Sequence, residues 1–198
     1  MNYVTLVLAL FLSTGILANE NYDLAKALSY SHENLAAVKK ALAYGARLDI
    51  DIGQPGFPGQ SPLMVASEKG FVNVVKLFIR KGDKVNRQNK HGWSALRYAA
   101  EAGQVQVIKT LVAGGADINI RDEFETTPLF AAVQAAQLES VKILIKLKAD
   151  VNLTDHFNRT VLDIAIYEKN QDPSKIKTEI VSVLLKAGAK PSVKDTQP

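Results

Sequence analysis

Residues able to perform covalent or metal chemistry are scarce in this sequence of 198 residues. It contains no cysteine and three histidines, His32, His91 and His156. A chain without cysteine cannot form a disulfide, an iron–sulfur site or a thiol nucleophile, and it cannot bind zinc through thiolates. Three histidines are too few for a histidine-rich metal centre. We therefore expect no metal site and no cofactor.

The motifs of the common enzyme classes are also missing. The sequence has no Gly-Lys-Ser/Thr phosphate loop, no His-Glu-x-x-His and no Gly-x-Ser-x-Gly. Carboxylate pairs such as Asp122 and Glu125 are expected on exposed turns, where no burial would shift their pKa values. These observations argue against an enzyme and favour a protein that acts by binding.

The composition indicates a folded chain, and the N-terminus indicates export. Apolar residues make up 47% of the sequence and the formal charge is +4, which supports a core and excludes a wholly disordered chain. Residues 3–18 carry no charge and include an unbroken apolar run over residues 6–12. This pattern predicts a secretory signal peptide over residues 1–18, cleaved after Ala18.

The charge of the leader leaves an alternative open. Its first residues lack Lys and Arg, so an uncleaved anchor is the competing interpretation, although the stretch is shorter than the roughly 20 residues of a membrane-spanning helix. Export predicts a periplasmic protein, with a secreted or N-terminally anchored protein as alternatives. An exported protein does not meet the genome, so we expect no nucleic-acid partner. We also expect no membrane span after cleavage.

Three sets of residues recur with a period of 33. One set begins a Ser/Thr-x-Leu motif at Ser61, Ser94, Thr127 and Thr160. Another set is Asn86, Asn119 and Asn152, and a third is the apolar set Val75, Ile108 and Val141. A constant period of this length indicates a stack of small structural repeats. The Ser and Thr residues are predicted to cap helices, with Pro62 and Pro128 at the first helical position.

The sequence of each unit resembles the ankyrin repeat. The residues that carry this resemblance are Leu-Arg-Tyr-Ala-Ala-Glu-Ala-Gly at 96–103, Gly-Ala-Asp-Ile-Asn at 115–119 and Thr-Pro-Leu-Phe-Ala-Ala at 127–132. The resemblance covers about residues 20–191. It implies an all-α solenoid of helix-turn-helix repeats joined by finger turns, with about five repeats including the caps.

The expected domain spans residues 19–191 and is followed by a loose tail at 192–198. Its repeats are placed at about 21–49, 50–86, 87–119, 120–152 and 153–191. Two insertions depart from the period, one at 53–59 and one around 168–174, and both are expected to be surface loops. Lys186, Lys190 and Lys194 suit the polar outer face that a terminal repeat needs.

The resemblance also implies where a partner would bind, because ankyrin arrays use their finger turns and first-helix faces. Each of four fingers contains a large aromatic residue: Phe57, Trp93, Phe124 and Phe157. Exposed aromatics beside Arg and His are typical of interface hot spots, although each ring could instead pack on the next finger. The candidate partner-binding residues are Phe57, Lys90, His91, Trp93, Arg97, Glu101, Glu123, Phe124, Thr126, Phe130, His156, Phe157 and Arg159. Lysines on the second helices are expected to form a solvated surface.

We therefore expect a protein-binding module that is monomeric when unbound. In its most concrete form it resembles the ankyrin self-protection proteins of predatory bacteria, which cover the active sites of exported peptidoglycan peptidases. The alternatives are a periplasmic scaffold or stress-protective ankyrin protein, and a secreted effector that binds a host protein.

Overall fold

The computed structural model describes residues 20–52 and 59–192. The predicted signal peptide at 1–18, the finger residue Phe57 and the predicted tail beyond Ser192 lie outside the described residues. The structure therefore does not address these three predictions.

The described residues form ten α-helices, which stack as five antiparallel pairs. The first helix of each pair, called the inner helix, is α1 (Glu20–Ser29), α3 (Pro62–Glu68), α5 (Ala95–Glu101), α7 (Pro128–Gln134) or α9 (Val161–Gln171). The second, called the outer helix, is α2 (Leu35–Ala43), α4 (Val72–Arg80), α6 (Val105–Ala113), α8 (Leu138–Lys146) or α10 (Lys175–Lys186). Inner helices pack on inner helices and outer on outer. The structure thus confirms the predicted all-α solenoid of helix-turn-helix repeats.

The residues of the 33-residue period build the core. Val75, Ile108 and Val141 are fully buried on successive outer helices. Small residues on the inner helices, Ala66, Ala99, Ala132 and Ala165, are also buried, so neighbouring helices approach closely. Burial of such side chains is the main source of stability in the array.

The predicted helix caps form at three of the four sites. The hydroxyls of Ser61, Ser94 and Thr160 each accept a hydrogen bond from the amide three residues later. Thr127 makes no such bond, so the prediction is wrong there. Pro128 at the start of α7 still favours that helix because its ring presets φ and has no amide to satisfy.

The recurring asparagines link neighbouring repeats. Oδ1 of Asn86 accepts the amide of Asp117 at 2.8 Å, and Oδ1 of Asn119 accepts the amide of Asp150 at 3.0 Å. Asn152 makes the same bond to the amide of the more distant Lys190, at 2.9 Å. This series of side-chain bonds explains why the asparagines keep the period of the helices.

The loop predicted at 168–174 is helical over residues 168–171, and only residues 172–174 form a linker, which corrects the expectation from the sequence in part. Inner helix α9 has 11 residues where α7 has 7, and outer helix α10 has 12 where α8 has 9. The linker between the two helices keeps the same length in both repeats. Each helix of the last pair is therefore extended by about one turn.

Candidate protein-binding surface

One polar side chain closes each described finger turn between neighbouring inner helices. Oδ1 of Asn89 accepts the amides of His91 and Trp93, both at 2.9 Å. Asp122 and Asp155 accept the corresponding pairs of amides in the next two fingers. Because the acceptor oxygen belongs to the finger itself, each turn is held in one conformation without a partner.

Backbone hydrogen bonds join the tips of successive fingers. The carbonyl oxygen of His91 accepts the amide of Glu123 at 3.3 Å, and that of Phe124 accepts the amide of His156 at 2.9 Å. These bonds place His91, Phe124 and Phe157 at equivalent positions, one in each finger. We call these three residues the tip row.

The two phenylalanines of the tip row face solvent. The exposed fraction is 53% for Phe124 and 67% for Phe157. The guanidinium carbon of Arg159 lies 5.0 Å from the centre of the Phe157 ring, and the His156 ring lies edge-on at 5.4 Å. His91 contacts Glu123, with 3.1 Å between Nδ1 and Oε1. Large rings that remain exposed in a row with polar neighbours have the composition of a protein-binding site.

Trp93 does not belong to the tip row. It lies two residues after the tip, is partly buried, and packs against the core and the edge of Tyr98 with ring centres 5.8 Å apart. The guanidinium carbon of Arg97 lies 4.5 Å from the centre of the indole. For Trp93, the alternative interpretation of a locally packed ring is the one that the structure supports.

Arg97 joins helix α5 to the following finger. Its Nη1 atom lies 3.1 Å from Oδ2 of Asp122, and the two side chains are only 12% and 2% exposed. Thr126 donates its hydroxyl to the same carboxylate oxygen at 2.6 Å. The expectation that Asp122 lies on an exposed turn is therefore wrong. The buried Asp122 carboxylate anchors the finger. Glu125 points away from it, and its Oε2 atom lies 3.3 Å from Nη1 of Arg121.

The comparisons with known proteins agree with this architecture. The family model described as ankyrin repeats (3 copies) matches residues 16–122 and again residues 109–195. The chain belongs to the ankyrin-repeat family. Ankyrin repeats are generally protein-interaction modules without enzymatic activity, so the chain is a protein-binding module. A search of curated proteins found no match.

Of three further candidate residues, two are exposed on the surface of the ankyrin array and the third is buried. Lys90 and Glu101 are exposed. Phe130 is 1% exposed, which rules out direct contact with a partner and corrects its inclusion. Its position in the inner helix, shared with the buried Met64, faces the interior of the stack.

Sequence reasoning missed Tyr167. This side chain is exposed on α9 and stands 33 residues after Gln134, which itself stands 33 residues after Glu101. The strict period would have identified it.

Tyr98 lies directly beneath this surface, and its hydroxyl group has a strongly shifted pKa. Burial, and next to it the negative charge of Glu68, raises the pKa of Tyr98 to about 12. Its hydroxyl accepts a hydrogen bond from the Asn89 amide at 3.1 Å. Tyr98 thus stays neutral at physiological pH and acts as a structural group beneath the finger. Within the described ranges, no three His, Asp or Glu side chains gather in an arrangement that could hold a metal.

Proposed function

We propose that this ankyrin array is exported and that its tip row and inner-helix face cover the active site of an extracytoplasmic enzyme, in the most concrete case a peptidoglycan peptidase. The observation that carries the proposal is the exposure of Phe124 and Phe157 in one hydrogen-bonded row. The clefts of such enzymes are concave. Protruding rings on rigid turns are suited to enter them.

The tip row is organised before binding. Side-chain and backbone hydrogen bonds fix each finger, so little conformational entropy is lost when a partner docks. Desolvation of the two phenylalanine rings then contributes to the binding free energy, and little of that contribution is offset by the ordering of loops.

Charged residues around the tip row supply orientation. Lys90, Glu123 and Arg159 are exposed beside the rings, and Glu101 is exposed on the inner helix below them. Rim charges of this kind set the register and association rate of a complex more than its affinity. A partner is expected to present matching charges around an apolar contact.

Two sequence features support export. Residues 3–18 are uncharged and end in Ala18 before polar residues, and cysteine is absent from the whole chain. A chain without thiols crosses into an oxidising compartment without mispairing. Cell fractionation, with mass analysis of the protein recovered from the periplasm, tests this part: an N-terminus at Asn19 supports it, and retention in the cytoplasm contradicts it.

The central test replaces the two exposed rings. Phe124→Ala with Phe157→Ala is expected to weaken partner affinity about a hundredfold, because truncation of two hot-spot residues removes most of the apolar contact. The measurement is affinity capture of the partner from the periplasm, followed by calorimetric titration of the purified pair. Lys146→Ala, on an outer helix, is the matched control and should bind as the wild type does.

The identity of the captured partner decides between the possible functions. A hydrolase in an equimolar complex, whose cleavage of peptidoglycan is blocked by the wild type and not by the double variant, supports the proposal. Capture of a partner without hydrolytic activity contradicts inhibition and favours a scaffold. Capture of host proteins alone favours an effector.

A further inference from the structure

Charge is segregated between the two faces of the array. The five outer helices carry ten Lys or Arg residues and two acidic residues, whereas the five inner helices carry three basic and six acidic residues. The outer surface is thus strongly cationic although the whole chain has a net charge of only +4. This surface lies away from the fingers, since the finger turns lead into the inner helices.

Internal ion pairs neutralise little of the cationic surface. Both acids of the outer helices, Glu139 and Glu179, contact the same lysine, Lys142, at 3.0 and 3.1 Å. Lys177 pairs with acids of the last inner helix and its linker. The other eight cations of the outer helices are exposed, and none of them has an acidic partner within the described residues.

A regular arrangement concentrates these cations. Lys76 and Lys109 are 33 residues apart and so occupy one position on successive outer helices. Lys142 has the same position on the next outer helix, where Glu139 and Glu179 neutralise it. Between α4 and α6 lies a shallow depression of about 490 Å³. Its lining includes the basic residues Lys76, Arg80 and Lys109 and the apolar residues Val72 and Ile79. Cationic groups around apolar contacts suit the headgroup and glycerol region of a lipid.

The residue types favour a membrane over a nucleic acid. Seven of the eight unpaired cations are lysines, which act as flexible point charges, whereas planar bidentate recognition of phosphates favours arginine. The outer helices contain a single aromatic residue, the fully buried Phe78, so no ring is available to stack on a base. A broad anionic surface satisfies dispersed lysines without shape complementarity.

We propose that the outer-helix face of this protein docks on an anionic lipid bilayer. Docking in this orientation leaves the tip row pointing away from the membrane and free to bind its protein partner. The acidic inner face is repelled by the same bilayer, so the charge segregation also sets the orientation.

The test compares binding of the full chain to vesicles of phosphatidylcholine alone and of phosphatidylcholine mixed with phosphatidylglycerol. The wild type is expected to sediment with the anionic vesicles and to be released at high salt, because the attraction is screened. Lys76→Glu with Lys109→Glu is expected to reduce that binding at least about tenfold. Lys26→Glu with Lys169→Glu changes the net charge equally on the inner helices and should retain binding. The apolar N-terminal run is common to all variants and both lipids, so it cannot explain a difference between them.

The outcomes separate this proposal from the proposed function. Equal binding to both lipid compositions, or equal loss in both double variants, overturns it. Preference for a short oligonucleotide over the anionic vesicles also overturns it and assigns the face to a soluble polyanion. Partner capture by the tip row is measured independently and is expected to be unchanged in the Lys76→Glu, Lys109→Glu variant.

Discussion

At the residue scale, one position of the repeat is occupied by alanine in four repeats and by aspartate in the other. Ala46, Ala116, Ala149 and Ala189 are buried directly after the left-handed residue that ends each outer helix. Asp83 occupies the same position in the second repeat. Burial raises the pKa of its carboxyl above the ordinary value, against the opposing effects of the Lys84 amide and Arg87. Its Oδ2 atom is buried without a hydrogen-bond partner in the described part of the chain.

Asp83→Ala is therefore expected to stabilise the protein by about 1 kcal/mol at neutral pH. A carboxyl with a raised pKa in the folded state destabilises the fold when ionised, and this penalty disappears below the pKa of a free aspartate, about 3.9. The gain should shrink as the pH falls through that range. Urea unfolding at neutral and acidic pH measures it, with the exposed Lys84→Ala as control. A gain that is independent of pH would show that burial of the charge is not its cause.

The site residues show what the sequence can and cannot predict at this scale. Phe124 and Phe157 are exposed finger residues, as the repeat pattern indicates. Trp93 is also in a finger, but it lies two positions later in the turn and packs under Arg97. The sequence shows that each finger contains an aromatic residue. The direction of its ring depends on turn geometry and on side chains of the next repeat, which only the three-dimensional structure reveals.

At the scale of elements, the turn between the two helices of each of the three middle repeats contains a left-handed residue. Gly70 and Gly103 adopt φ values of 76° and 75° there, and Ala136 adopts 53°. A Cβ atom at Gly103 would lie 2.6 Å from Oε1 of Gln137 in the next repeat. Glycine is thus favoured by the backbone conformation, whereas the flexible Gln137 side chain can move away from an added Cβ atom.

Gly103→Ala is expected to reduce the free energy of unfolding by about 1–2 kcal/mol, the typical cost of a left-handed non-glycine residue. Ala136→Gly should change it in the opposite direction by a smaller amount, because glycine loses more entropy on folding. Thermal and urea unfolding of the matched pair measure both effects. Stabilisation by both substitutions, or by neither, would show that backbone strain does not control this turn.

Element boundaries mark a second limit of sequence reasoning. The period of 33 correctly locates the starts of α3, α5, α7 and α9. The segment 168–174 has the composition of a loop, with Asn170, Asp172 and Pro173, yet α9 continues to Gln171 and only residues 172–174 are outside the two helices. The added turns of α9 and α10 pack against each other and stabilise their helical conformation, and such a tertiary contact is not visible in the local sequence.

At the scale of the whole molecule, stability is expected to vary along the stack. Each helix pair packs on the pairs next to it, so α3 to α8 are covered on both sides and the two terminal pairs on one side. Amide hydrogen exchange should therefore be slowest in α5 and α7 and faster in α1, α2 and α10. Uniform exchange rates across all ten helices would contradict this gradient and indicate one global unfolding unit.

The tip row has a consequence for the geometry of any ligand that lies along it. Its members are carried by adjacent repeats, and packed helices are separated by about 8–10 Å. A polyproline II segment rises about 3.1 Å per residue with three residues per turn, so every third side chain returns to the same side after about 9 Å. A β-strand alternates sides and cannot keep that interval on one face. If an extended segment of a partner lay across Phe124 and Phe157, every third residue of a polyproline II helix would match the spacing of the two rings.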